Sequence, residues 1–61
     1  MITVLVVDDH ELVRTGICRM LEDQSDIQVI GQAESGEDAI SLVRQHHPNV
    51  VLLDVNMPGI G

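Results

Sequence analysis

Three apolar runs alternate along the chain with two segments of helical period. Ile2 to Val7 is short, rich in β-branched residues and followed at once by Asp8 and Asp9. Val50 to Asp54 is a second such strand, an apolar run that ends on the carboxylate of Asp54. Unbroken runs of this length read as strands buried on both faces, as in a parallel sheet. Ile27 to Ala33 carries more polar residues, which places it at a sheet edge. Simple alternation sends Ile27, Val29 and Gly31 to one face of it and Gln28, Ile30 and Gln32 to the other. Between the first two strands the pattern predicts a helix from about His10 to Asp23. Its apolar stripe is Val13, Ile17, Met20 and Leu21, with Leu12 and Gly16 on its flanks, and Gly16 is expected to permit close packing on the sheet. Glu11 suits the positive end of that helix, and Asp9 is a candidate cap. A second helix is predicted from about Gly36 to His46, with Ser35 as N-cap and Asp38 in a shortened capping box. Its stripe is Ala39, Ile40 and Val43, with Leu42 beside it. Pro48 stops it.

The order β-α-β-α-β with short connections argues for an α/β fold with a parallel sheet and right-handed crossovers. The helices cover opposite faces only if the winding reverses, which gives the strand order 2-1-3. The ends of the first and third strands then lie side by side at a switch point, where ligand sites of open α/β sheets form. Asp8, Asp9 and Asp54 converge there. Three close carboxylates repel one another unless a cation sits among them.

Composition narrows the reading. The chain has 61 residues and a net charge of -7, with three Arg, no Lys and no aromatic residue. A core must be aliphatic, and at this size it is marginal. The acidity argues against direct nucleic-acid binding. One cysteine, Cys18, excludes an internal disulfide and fits a reducing cytoplasm; it reads as a quiet, partly buried thiol. No apolar run is long enough to cross a membrane or serve as a signal peptide. The chain is expected to be the first part of a larger domain, because a globular domain seldom stops just after a buried strand.

Mg²⁺ takes one or two carboxylates, keeps several waters and accepts a phosphate oxygen. Asp9 and Asp54 could supply the carboxylates, Asp8 could hold a coordinated water, and a main-chain oxygen in the following turn could add a neutral ligand. A strand-end aspartate beside Mg²⁺ can attack a phosphoryl group and form an acyl phosphate.

Val4-Leu5-Val6-Val7-Asp8-Asp9-His10, followed by Asp54-Val55-Asn56-Met57-Pro58-Gly59, resembles the receiver domain of two-component response regulators. Asp8-Asp9-His10-Glu11-Leu12-Val13-Arg14 and Gly31-Gln32-Ala33-Glu34-Ser35-Gly36-Glu37 look closer still to the NarL/FixJ branch and its GacA-like members. The resemblance covers residues 1–61. It implies the first half of a flavodoxin-like fold, with Asp54 as phosphoacceptor, Asp9 as a direct Mg²⁺ ligand, Asp8 acting through water and the main-chain oxygen of Asn56 completing the protein ligands. It implies a sensor histidine kinase as phosphate donor and a cytoplasmic location. It also implies a C-terminal helix-turn-helix that binds DNA in full-length members, and no enzymatic role for the domain. A receiver has five βα units, and this chain holds two and a half. The family's switch Ser/Thr and phosphate-binding Lys have no counterpart here.

Other readings compete. The Asp-x-Asn-x-x-Gly spacing of Asp54, Asn56 and Gly59 echoes an EF-hand loop, but a strand precedes it and no closing Glu follows. A haloacid-dehalogenase-type Mg²⁺ hydrolase would want Asp where Asn56 stands and has no need of an acid pair on the first strand. His46 and His47 are adjacent on a helix and do not face one ligand together. His10 reads as a first-turn helix residue rather than a metal ligand, since the site is oxygen-rich. A last reading is an interaction module: the open edge of the third strand predicts self-association.

Overall fold

The computed structural model describes residues 1–53. Strand β1 (Ile2–Val7) is followed by helix α1 (Glu11–Glu22), strand β2 (Ile27–Ala33), helix α2 (Gly36–His46) and strand β3 (Val50–Leu53). The strands form one parallel sheet in the order β2-β1-β3. The expected architecture and strand order are therefore found, with β2 at an edge. No helix among the described residues is long and apolar enough to cross a membrane.

β1 is buried because both of its faces are covered. Val4 and Val6 pack with Cys18 under α1, joined by Ile17, Leu21, Ile27 and Val29. Leu5 and Val7 pack with Ala33 and Ala39 under α2, joined by Leu42 and Val43. The unbroken apolar run is the direct cause: each successive side chain meets a different helix. β1 and β3 are also tied at their starts. Thr3 N–H and its hydroxyl both donate to Asn49 Oδ1 at 2.9 Å, and the Asn49 N–H bonds Thr3 Oγ1 at 2.9 Å.

The structure differs from simple periodicity in three places. β2 carries an irregularity: Val4 pairs with Val29 and Leu5 with Gly31, so Ile30 is an extra residue in the ladder. A bulge of this kind reverses the facing of everything after it. Gly31 thus lies on the α2 side, where an added Cβ would meet Leu5 Cδ1 at 3.3 Å, and Gln32 lies on the α1 side. In α1 the inward stripe is Arg14, Ile17, Cys18 and Leu21. Met20 is 71% exposed and Val13 half exposed, whereas Cys18 is fully buried. In α2, Ile40 faces out and Leu42 packs inward. An aliphatic residue one step off a stripe costs little at the surface, so helix phase is set by the fit against β1 and not by a count of apolar positions. Gly16 also departs from expectation. A Cβ there would meet nothing within 4 Å, so it is not a close-packing residue.

The caps of α2 follow local chemistry. Ser35 Oγ accepts the Asp38 N–H at 3.2 Å, as the capping pattern predicted. The helix closes on His47 in the left-handed region, φ 51° and ψ 59°, with its N–H on Val43 O at 2.9 Å. A β-carbon is strained there, and glycine usually occupies such a position. His47→Gly is expected to raise stability by roughly 0.5–1 kcal/mol, the relieved strain less the extra entropy of an unfolded glycine. An unchanged or lower urea midpoint would count against this account.

Candidate functional site

The C-terminal end of β1 passes directly into the acid pair. The Asp8 N–H extends the β1·β2 ladder by donating to Ala33 O at 3.0 Å. Asp8 is the buried charged residue of the described chain, at 3% exposure. A buried carboxylate needs hydrogen-bond partners, and Asp8 Oδ1 accepts the His10 N–H at 2.8 Å. Asp9, next along, points into solvent, and its Oδ1 lies 2.8 Å from His10 Nδ1. The same His10 nitrogen lies 3.4 Å from Asp8 Oδ1.

Asp9 does not cap α1, contrary to one sequence expectation. His10 is the N-cap residue and makes no side-chain cap bond. The Asp8 carboxylate instead accepts the N–H of His10, the residue just before the helix. His10 stands just before the helix, in extended conformation, and not in its first turn as expected; its ring lies against Asp9.

Sequence reasoning missed Arg14 and Gln32. Arg14 Nη1 donates to the main-chain oxygen of Asp8 at 2.7 Å, and its Nε donates to Gln32 Oε1 at 3.1 Å. The signal was present: Arg14 shares the inward stripe of α1 with Ile17, Cys18 and Leu21, and a cation on such a stripe requires acceptors. Gln32 reaches it only because the bulge at Ile30 turns it to the α1 side. On the same stripe, burial pushes the Cys18 thiol up, Glu22 adds to the shift and Arg14 partly opposes it. A buried thiol of raised pKa is a poor nucleophile, which suits a packing role.

At the other strand end, Val7 pairs with Leu53, so the next residues in sequence after this pair are Asp8 and Asp54. Asp54 and Asn56, both named as site residues from the sequence, lie outside the described residues. The ligand atoms of Asp8, Asp9 and His10 lie within 4.8 Å of one another. Two carboxylates at a strand end suit a hard divalent cation such as Mg²⁺, whereas one imidazole already held by Asp9 adds little to such a site. Beside the acid pair, Val6, Val7, Val13, Ile17, Leu52 and Leu53 line an open apolar groove between α1 and β3.

Comparison with known proteins agrees with this geometry. The response regulator receiver domain family matches residues 4–61. Response regulator GacA of Pseudomonas aeruginosa is 66% identical over the whole chain, and response regulator UvrY of Escherichia coli K12 is 59% identical over the same span. The chain spans 28% of the length of each of these relatives. Among solved structures, the signal receiver domain of NarL from Mycobacterium tuberculosis superposes with a TM-score of 0.88 at 43% identity, covering 95% of this chain and 47% of that one. A parallel sheet ordered β2-β1-β3, an acid pair at the end of its central strand, and these matches together establish that the chain belongs to the response regulator receiver domain family.

Proposed function

We propose that the chain, residues 1–61, is the N-terminal part of a phosphoacceptor receiver, with Asp54 as the acceptor. The observation that carries this reading is the register of β1 and β3. Val7 and Leu53 are partners, and each is followed in sequence by acid. A carboxylate oxygen of Asp54 attacks the phosphorus of a sensor-kinase phosphohistidine. The P–O bond forms as the P–N bond breaks, and the electron pair leaves with the histidine nitrogen, which takes a proton from solvent. Asp9, Asp54 and the main-chain oxygen of Asn56 would hold Mg²⁺, and Asp8 would act through a water. When bound, Mg²⁺ neutralises charge on the transferring oxygens. Asp8 sits on a main chain anchored to β2, and its carboxylate accepts the His10 N–H. The domain is a signal-transducing acceptor and not an enzyme with a turnover of its own. In a longer protein it would control a C-terminal helix-turn-helix that binds DNA, in the cytoplasm.

The test is intact mass after incubation with a small-molecule phosphodonor. A Mg²⁺-dependent phosphoryl adduct is expected on the wild-type chain and none on Asp54→Asn. An adduct of equal yield on Asp54→Asn, or one indifferent to Mg²⁺, would sink the assignment.

A second reading has its own observation. All four residues of β3 stay at least one-third exposed, and its outer edge has no partner among the described residues. Left on its own, the chain is then an assembly module that pairs with itself.

A further inference from the structure

We propose that Arg14 is a positioning residue of the acid pocket: its grip on the main-chain oxygen of Asp8 fixes the Asp8–Asp9 turn in the form that receives a divalent cation. This rests on the receiver reading above.

Three contacts hold Asp8, one from β2 and two from α1 and its N-cap. Its N–H is on Ala33 of β2, its Oδ1 takes the His10 N–H at the start of α1, and its carbonyl takes Arg14 Nη1 at 2.7 Å. The last is made by a side chain that a mutation can remove, and it is shorter than the one other side-chain approach, His10 Nδ1 at 3.4 Å from Asp8 Oδ1. Arg14 is itself fixed by a second acceptor, Gln32 Oε1, on the strand that the Asp8 N–H also joins. The planar guanidinium uses two of its nitrogens at once, which a lysine ammonium cannot do. Asp9 is covalently next to the gripped carbonyl, so the direction of its peptide plane depends on that bond. Among the described residues its side chain pairs with His10.

Arg14 has two effects on an arriving cation, and they oppose each other. Its charge repels the ion, while its grip pre-arranges the carboxylates. The contact to the Asp8 carbonyl is short and part-buried, the one to Gln32 is exposed, and both acceptors are neutral oxygens that define a direction. Arrangement is therefore the larger effect.

The experiment follows the amide resonances of Asp8, Asp9 and His10 while MgCl₂ alone is titrated into the 61-residue chain. Saturable shifts are expected in the wild type. Arg14→Gln removes the charge and Arg14→Lys keeps it. Both are expected to raise the Mg²⁺ dissociation constant by about tenfold, the low end of what loss of an outer supporting contact costs a metal site. Tighter binding in Arg14→Gln with no change in Arg14→Lys would mean that charge governs, and the inference fails. Val43→Ala, which loosens the α2 side of the sheet away from the acid pair, is expected to leave the constant unchanged. An equal weakening there would reduce the Arg14 effect to general loosening and also overturn the inference. No saturable shift in the wild type would remove the metal reading and this inference together. Saturable wild-type binding with both Arg14 variants unaffected would remove this inference alone.

Discussion

Leu5→Ala is expected to remove half or more of the stability of this chain. Leu5 is 1% exposed at the centre of the middle strand, packed with Val7, Ala33 and Ala39 beneath α2. Truncating a buried leucine costs about 2–5 kcal/mol. A domain of this length has on the order of 3–9 kcal/mol in total, and the exposed faces of β3 put this chain toward the lower end. Loss of far-UV helical signal at room temperature, or a large drop in urea midpoint, is the expected readout. Leu12→Ala removes the same atoms from a residue that is 86% exposed, and should shift stability by no more than about 0.5 kcal/mol. The Gly31 contact adds a sharper check. An alanine at 31 would meet Leu5 Cδ1 at 3.3 Å, and Leu5→Ala deletes that atom. Gly31→Ala should therefore be better tolerated in the Leu5→Ala background than in the wild type, a non-additive pair. Strict additivity would mean that residue 31 does not face the α2 core, and the bulge assignment would fall with it.

Concentration-dependent self-association is the second large effect expected, carried by the edge of β3. Val50, Val51, Leu52 and Leu53 are 36–49% exposed and form an apolar edge with no partner among the described residues. Such an edge pairs readily with another chain. The opposite edge is blunted: β2 has a bulge at Ile30 and a polar, exposed Gln28. Sedimentation should show a mass that rises with concentration. Val51→Lys should lower the association constant about tenfold or more, since a lysine on an edge strand opposes pairing. A wild-type mass that stays at one chain across the accessible range would refute the expectation. A matching loss from Gln28→Lys would move the interface to β2.

Element types, their order and the strand arrangement were legible because one physical constraint sets them all. A run such as Val4-Leu5-Val6-Val7 with no polar break has to be covered on both sides, and two helices of opposite winding are the economical cover. The acid pair was legible as a site because charge at the end of such a strand is anomalous. The bulge at Ile30 left no mark in the pattern, since Ile27 to Ala33 alternates weakly in either register. The helix phases were misjudged at Met20 and Ile40 because aliphatic residues carry no directional preference beyond area. Cys18 and Leu42 take the inward places by fit. Arg14 is given no role by the sequence reading, although it falls at helical spacing from Ile17 and Cys18 on the inward stripe of α1.

The central position of β1 also shapes how the chain is made. β1 leaves the ribosome before β3, yet the bond between Thr3 and Asn49 closes a separation of 46 residues. Half of the ladder on β1 therefore waits until nearly all of this segment has been synthesised. Sheets built from such distant pairings fold slowly, because loop closure precedes any stabilising contact. In the interval Leu5, Val6 and Val7 can be covered only by α1, β2 and α2. The nascent segment should be most exposed to chaperones and to mispairing between the emergence of β1 and that of β3.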